Sequence, residues 1–188
     1  MKVKFNFENQ EITTITSDMV KQAIFDGCTF KNIKFSNRIK HCHFLNCTFT
    51  ASNFSYADIK NCYFENCTLS DCIFALGKFT TCFLKNCDFK NVKFDSTIFN
   101  CSTVFDVCRL TKCIFTNCSY NFIQWEQSEF TDCNFFPGYN GIEDYGSVFT
   151  NCLGDIFRCK LELLKFWLRG VSKMVADIVI KNKIYEGD

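Results

Sequence analysis

The 188-residue chain carries 21 basic and 20 acidic side chains, a net charge of +1. That balance excludes a strongly basic nucleic-acid binder and a strongly acidic mimic of nucleic acid. The 24 Phe, 15 Cys and single Pro lie far from ordinary usage and call for a pattern that explains them.

Residues 1–22 alternate as KVKFNF and then lose pattern, which predicts an N-terminal cap strand and turn. The opening MKVKFNFENQ has no apolar core of a secretory signal, and no run of about 18 apolar residues offers a membrane span. A cytoplasmic location is therefore expected, where the cysteines stay reduced.

From residue 23 a repeat takes over. Read from Cys42 the chain runs CHFLN, CTFTA, SNFSY, ADIKN, CYFEN, CTLSD, with a large apolar residue at the centre of each quintet and a small one two places before it. The register holds from Ile39 to Phe99. It is one residue out of step before that, at Phe25, Phe30 and Phe35, and shifts again from Phe105 to Phe135. Twelve of the 15 Cys sit two residues before a centre, so the thiols belong to the repeat. A helix repeats near 3.6 residues and a strand at 2; neither yields a period of five. A chain that turns a corner every five residues does, with one large and one small residue facing inward on each side and successive coils pairing as parallel strands.

These quintets resemble the pentapeptide-repeat family, whose pattern is A(D/N)LXX; Ala57-Asp58-Ile59 nearly reproduces it. The resemblance implies an all-β solenoid, a right-handed quadrilateral β-helix of about six coils, over residues 23–153. It implies four quintets per coil, so that residues about 20 apart stack. Face one then carries Phe25, Phe44, Phe64, Leu84, Phe105 and Trp125 inward, and face two Phe30, Phe49, Leu69, Phe89, Leu110 and Phe130. Face three carries Phe35, Phe54, Phe74, Phe94, Phe115 and Phe135, and face four Ile39, Ile59, Phe79, Phe99 and Tyr120, with Phe149 as a candidate last member.

The small inward column of face two reads Cys28, Cys47, Cys67, Cys87, Cys108, Ser128. Without CxxC pairs it reads as space-filling beside Phe and not as a metal site. Cys101, Cys152 and Cys159 fall outside the small position and are expected to be the accessible thiols. Asn46, Asn66 and Asn86 stack at one corner, where Asn suits a turn. On the outside of face one, Tyr63, Phe83 and Val104 form an apolar stripe, a candidate partner surface. His41 and His43 flank Cys42, but an inward thiol and outward imidazoles do not converge on a site. No catalytic, cofactor-binding or metal-ligating residues are expected.

Residues 136–146, FPGYNGIEDYG, hold the only Pro and read as an inserted loop that presents Glu143 and Asp144 to a partner. The segment 154–188 is different in kind. Phe157, Leu161, Leu164, Leu168, Val171, Val175 and Ile178 recur at spacings of 4 and 3, widened by Trp167. This predicts an α-helical cap whose surplus apolar face makes a homodimer.

The resemblance extends to quinolone-resistance and microcin-immunity proteins of similar length. It implies a non-enzymatic scaffold that binds a protein, without direct nucleic-acid binding. One candidate partner is a type II topoisomerase, DNA gyrase, protected from quinolones or peptide toxins and so linked to antibiotic resistance. Residues 23–135 carry eleven basic and ten acidic residues. That balance favours a protein partner recognised by contact over mimicry of DNA by a negative field.

Overall fold

The computed structural model describes residues 3–35, 38–136 and 142–154, and every regular element among them is a β-strand. Most strands are three residues long, with the quintet centre buried and its two neighbours turned outward, as in His43–Leu45 and Tyr63–Glu65. Among the described residues all pairing is parallel. Phe44 lies beside Phe64, Phe64 beside Leu84 and Leu84 beside Phe105, and this continues on each side of the coil. The result is an all-β parallel solenoid of about seven turns.

That is one turn more than the sequence suggested. Phe5–Glu8 pairs with Ala23–Asp26, and Glu11–Ile12 with Thr29–Phe30, so these early residues already lie in the ladders. At the other end Ile142–Tyr145, expected within the loop, pairs with residues 123–126. The expected C-terminal helical cap falls on residues outside those described.

The period of five is a three-residue strand plus a two-residue corner. Two residues after most centres the backbone enters the left-handed region: Asn46, Asn61, Asn66, Asp71, Asn86, Asn91, Asn117, Asp132 and Asn151 all have φ between 50 and 58°. Asn and Asp tolerate this conformation better than other non-glycine residues. Corner N–H groups reach the next coil, Asn46 donating to the Glu65 carbonyl at 2.9 Å and Asn66 to that of Lys85 at 3.0 Å. The phase shift after Phe99 is a bulge. Register slips between Asn100 and Thr103 within the long strand Ile98–Asp106, and one extra residue is absorbed there.

The interior is a set of aromatic stacks. In the third ladder Phe35, Phe54, Phe74, Phe94, Phe115 and Phe135 stack at centroid distances of 4.1, 4.5, 5.1, 4.7 and 4.8 Å. Those spacings track the separation of paired strands, roughly 4.8 Å, so the backbone repeat sets the ring repeat. Phe149 does not join the fourth face. It stacks on Phe130 of the second ladder at 4.6 Å, because residues 142–145 already occupy the row on the first.

The cysteines fill the inward small positions, and all thirteen described thiols are free and buried. All but Cys42, which has one such acceptor, sit between two carbonyls; Cys67 Sγ donates to Phe44 O at 3.2 Å and Glu65 O at 3.4 Å. Cys152, expected to be accessible, is buried as well, because it precedes the Leu153–Gly154 strand and donates to Phe130 O at 3.4 Å. Burial pushes Cys72, Cys82 and Cys118 up to about 11 from an ordinary 9.0. Such thiols are poor nucleophiles and poor ligands at neutral pH.

Candidate docking face

Successive side chains alternate across a strand, so each ladder shows two outward columns, one on either side of the buried centre. On the ladder built from Phe5–Glu8, Ala23–Asp26 and their successors, called ladder one here, the column before the centres reads Ile24, His43, Tyr63, Phe83, Val104 and Gln124. The column after them reads Glu8, Asp26, Leu45, Glu65, Lys85, Asp106 and Glu126. An aromatic and aliphatic column therefore runs beside an acidic one.

The three apolar candidates are brought together. Tyr63 and Phe83 stack with ring centroids 5.6 Å apart and planes 3° from parallel, and His43 packs on Tyr63 at 5.8 Å. Val104 pairs with Phe83 along the ladder. They are less exposed than expected: Tyr63 and Phe83 are half-buried and Val104 is only 9% exposed. Burial, and then the Glu65 carboxylate beside it, push the Tyr63 phenol above its ordinary value.

Glu143 and Asp144 were read as loop residues. Their backbone instead lies on the same ladder, in register with Gln124 and Trp125. The dimer candidates Leu161, Leu164, Trp167, Leu168, Val171, Val175 and Ile178 lie outside the described residues.

The acidic column is the feature that composition concealed. Charges sort by ladder. Lys21, Lys40 and Lys60 line up on the fourth ladder, with Arg38 and Lys78 flanking Asp58 in its other outward column. Ladder two presents Thr29, Thr48 and Thr68, then Asp88, Arg109 and Glu129. There Arg109 grips Asp88 through two N–H donors at 2.7 and 3.1 Å, an exposed pair. Only a residue's column, the position modulo one coil, reveals this sorting.

The remaining motifs are architectural. Asn86 Nδ2 donates to Asn66 Oδ1 at 2.8 Å, Asn66 to Asn46 at 3.2 Å, and Asn46 to Asp26 at 2.8 Å, so the corner amides bond mainly to one another. His41 sits exposed in a left-handed corner, His43 lies half-buried on ladder one, and Cys42 is buried between them. Among the described residues no three metal-ligating side chains gather, and no helix is long and apolar enough to cross a membrane.

A family model described as pentapeptide repeats, eight copies, matches residues 38–71. The chain is similar in structure to a pentapeptide-repeat protein, Rfr23, from the cyanobacterium Cyanothece 51142. The identity is 11%, the TM-score 0.52, and the match covers 70% of this chain and 91% of that one. It also matches a trypsin-treated form of QnrB1, a plasmid-mediated fluoroquinolone resistance protein, at 16% identity and TM-score 0.47, over 87% of this chain and 96% of that one. No curated protein matches the sequence.

Proposed function

The chain is a pentapeptide-repeat protein, and from that premise we propose that it is a non-enzymatic scaffold that docks a protein on the outer face of ladder one. The observation that carries this reading is the pairing of the Tyr63–Phe83–Val104 column with the acidic column Asp26, Glu65, Asp106 and Glu126. Stacked aromatics on a rigid sheet supply contact area at little cost in conformational entropy. The neighbouring carboxylates select a partner whose own apolar strip is edged by Lys or Arg. The solenoid holds both columns at fixed spacing, so the surface needs no rearrangement to bind.

The test is affinity capture with wild type and with a Tyr63→Asp, Phe83→Asp double variant as baits. Both side chains lie outside the buried core, so the variant should still unfold in one cooperative transition, at a urea midpoint lowered by loss of the Tyr63–Phe83 stack and by the two adjacent carboxylates. Proteins retained by wild type and lost by the variant support the reading. Identical sets of captured proteins refute it.

A second reading is a topoisomerase-interacting protein that protects gyrase from quinolones or peptide toxins. The acidic column favours it, since a negative strip on a rod can occupy a surface built for DNA. Gyrase supercoiling with a quinolone present, titrating this protein in, separates the two. Rescue that is lost in Glu65→Lys with Asp106→Lys supports the topoisomerase reading. No effect on gyrase at any ratio refutes it and leaves the docking face intact.

A further inference from the structure

We propose that the first coil is a self-association site, on which a second copy of this chain docks end to end across a two-fold axis perpendicular to ladder one. The inference concerns the end of the rod and is independent of the docking reading above.

Phe5–Glu8 and Glu11–Ile12 begin their ladders, and among the described residues no strand pairs with their outer edges. Alternate residues of a parallel strand bond to opposite neighbours. The Asn9 N–H donates to Asp26 O at 2.8 Å, so Phe5 and Phe7 bond toward Ala23–Asp26, while Asn6 and Glu8 turn their N–H and C=O groups off the end of the rod. An open edge of this kind is a template for another strand. The apolar side chains at the same end are incompletely covered. Phe5 is 37% exposed and Val3 40%, and Phe7, Ile15 and Met19 are half-buried against the core.

Charge selects the occupant. The chain enters ladder one from ladder four and leaves it toward ladder two. The entry corner holds Lys4 and Lys21, brought together where the Lys4 N–H donates to Gln22 O at 2.8 Å, and the exit corner holds Glu8 and Glu11. A two-fold axis normal to ladder one reverses the strand and exchanges ladders two and four, so the cationic corner of each copy meets the anionic corner of the other. Glu11 precedes the buried Ile12 and Lys21 follows the buried Val20, which puts both next to ladder one and opposite each other across the junction. Asp18 pairs with Lys21 at 3.0 Å but leaves its side chain 43% exposed, open to a second carboxylate. In the antiparallel register centred on Phe7, Asn6 faces Glu8 of the second copy, and the two exchange N–H···O=C bonds, twice by symmetry. Stacking on the last coil of another copy would instead set Glu11 beside Val148 of the same column, with no cation opposite. The two-fold leaves both outer faces of ladder one on the same side of a doubled rod.

The experiment is sedimentation equilibrium of the full chain over a range of concentrations. Wild type should dimerise. Glu11→Lys and Lys21→Glu each place two like-charge contacts in the junction, and each should weaken the dimer about tenfold, the size expected for reversing two exposed pairs. An equimolar mixture of the two variants should regain the wild-type affinity, because in the mixed dimer every contact is again between opposite charges. Asn6→Pro, which removes an N–H directed off the end, should abolish the dimer with the far-UV circular dichroism unchanged. A monomeric wild type, a dimer indifferent to both reversals or to Asn6→Pro, a mixture no tighter than its components, or polymers that lengthen with concentration would each overturn the proposal.

Discussion

Replacing Val107 by asparagine is expected to make the protein more stable, although the position is exposed and the change removes an apolar side chain. Val107 occupies a corner with φ 52°, and its N–H already donates to Glu126 O at 2.9 Å. A β-branched residue is poorly suited to that conformation, which costs L-residues roughly 1–2 kcal/mol. The other corners of this column hold Gly27, Asn46, Asn66, Asn86, Gln127 and Gly146, residue types that accept it more easily. Asparagine relieves most of the strain and adds a chance to bond with Asn86, where the amide ladder now stops. The net gain should be about 1–2 kcal/mol, a rise in Tm of roughly 2–8 °C for a chain of this size. Val107→Gly should gain less, because glycine adds freedom to the unfolded chain. Urea denaturation of wild type and both variants is the assay. If Val107→Asn is neutral or destabilising, the corner carries no strain and the explanation of the five-residue period by left-handed corners fails at this site.

Phe74 is 1% exposed and stacks between Phe54 and Phe94, so Phe74→Ala should cost about 3–5 kcal/mol, while Thr68→Ala on the outside should cost under about 0.5 kcal/mol. Equal shifts in urea midpoint would refute the inward assignment. Cys72, Cys82 and Cys118 have folded pKa values raised to about 11, so they contribute full stability below pH 9.0 and lose it as pH climbs toward 11. At pH 10 each should cost roughly 1.4 kcal/mol relative to pH 7, and Cys82→Ala should flatten its share of that decline in urea midpoints taken between pH 7 and 10. The Arg109–Asp88 pair is exposed, so Arg109→Ala should change stability by less than about 1 kcal/mol, and added salt should shrink the difference further.

The inner architecture was legible because it repeats. A large residue every five positions with a small one two before it fixed the columns from Phe44 to Phe99, and Tyr63, Phe83 and Val104 fell on one ladder as the columns require. The ends were harder to read because their residues keep the pairing without keeping the pattern. Phe5–Glu8 forms a turn of the solenoid with Phe7 stacked on Phe25 at 4.8 Å, yet nothing in KVKFNF marks a quintet. Ile142–Tyr145 lies in register with residues 123–126 although Asp144 stands where the repeat has a large apolar residue. There the backbone ladder outlasts the side-chain code, because parallel pairing satisfies main-chain groups whichever residue carries them. The same displacement moved Phe149 to the second ladder and buried Cys152.

Charge behaves in the opposite way. Summed along residues 23–135 it cancels, and a linear count finds no preferred sign. Wound into coils, the chain brings every twentieth residue or so into one column. Acids separated by about 20 positions, Glu65, Asp106 and Glu126, then become neighbours a strand spacing or two apart. At those distances their fields add, since the separation is about a Debye length or less at physiological salt. Leu45 leaves a gap in the column, Lys85 reverses its sign once, and lysines of opposite charge stand on the fourth ladder, around a corner. A partner that touches only ladder one therefore meets a surface whose sign the net charge of +1 does not disclose. For a rod of this kind, recognition follows the column and not the composition.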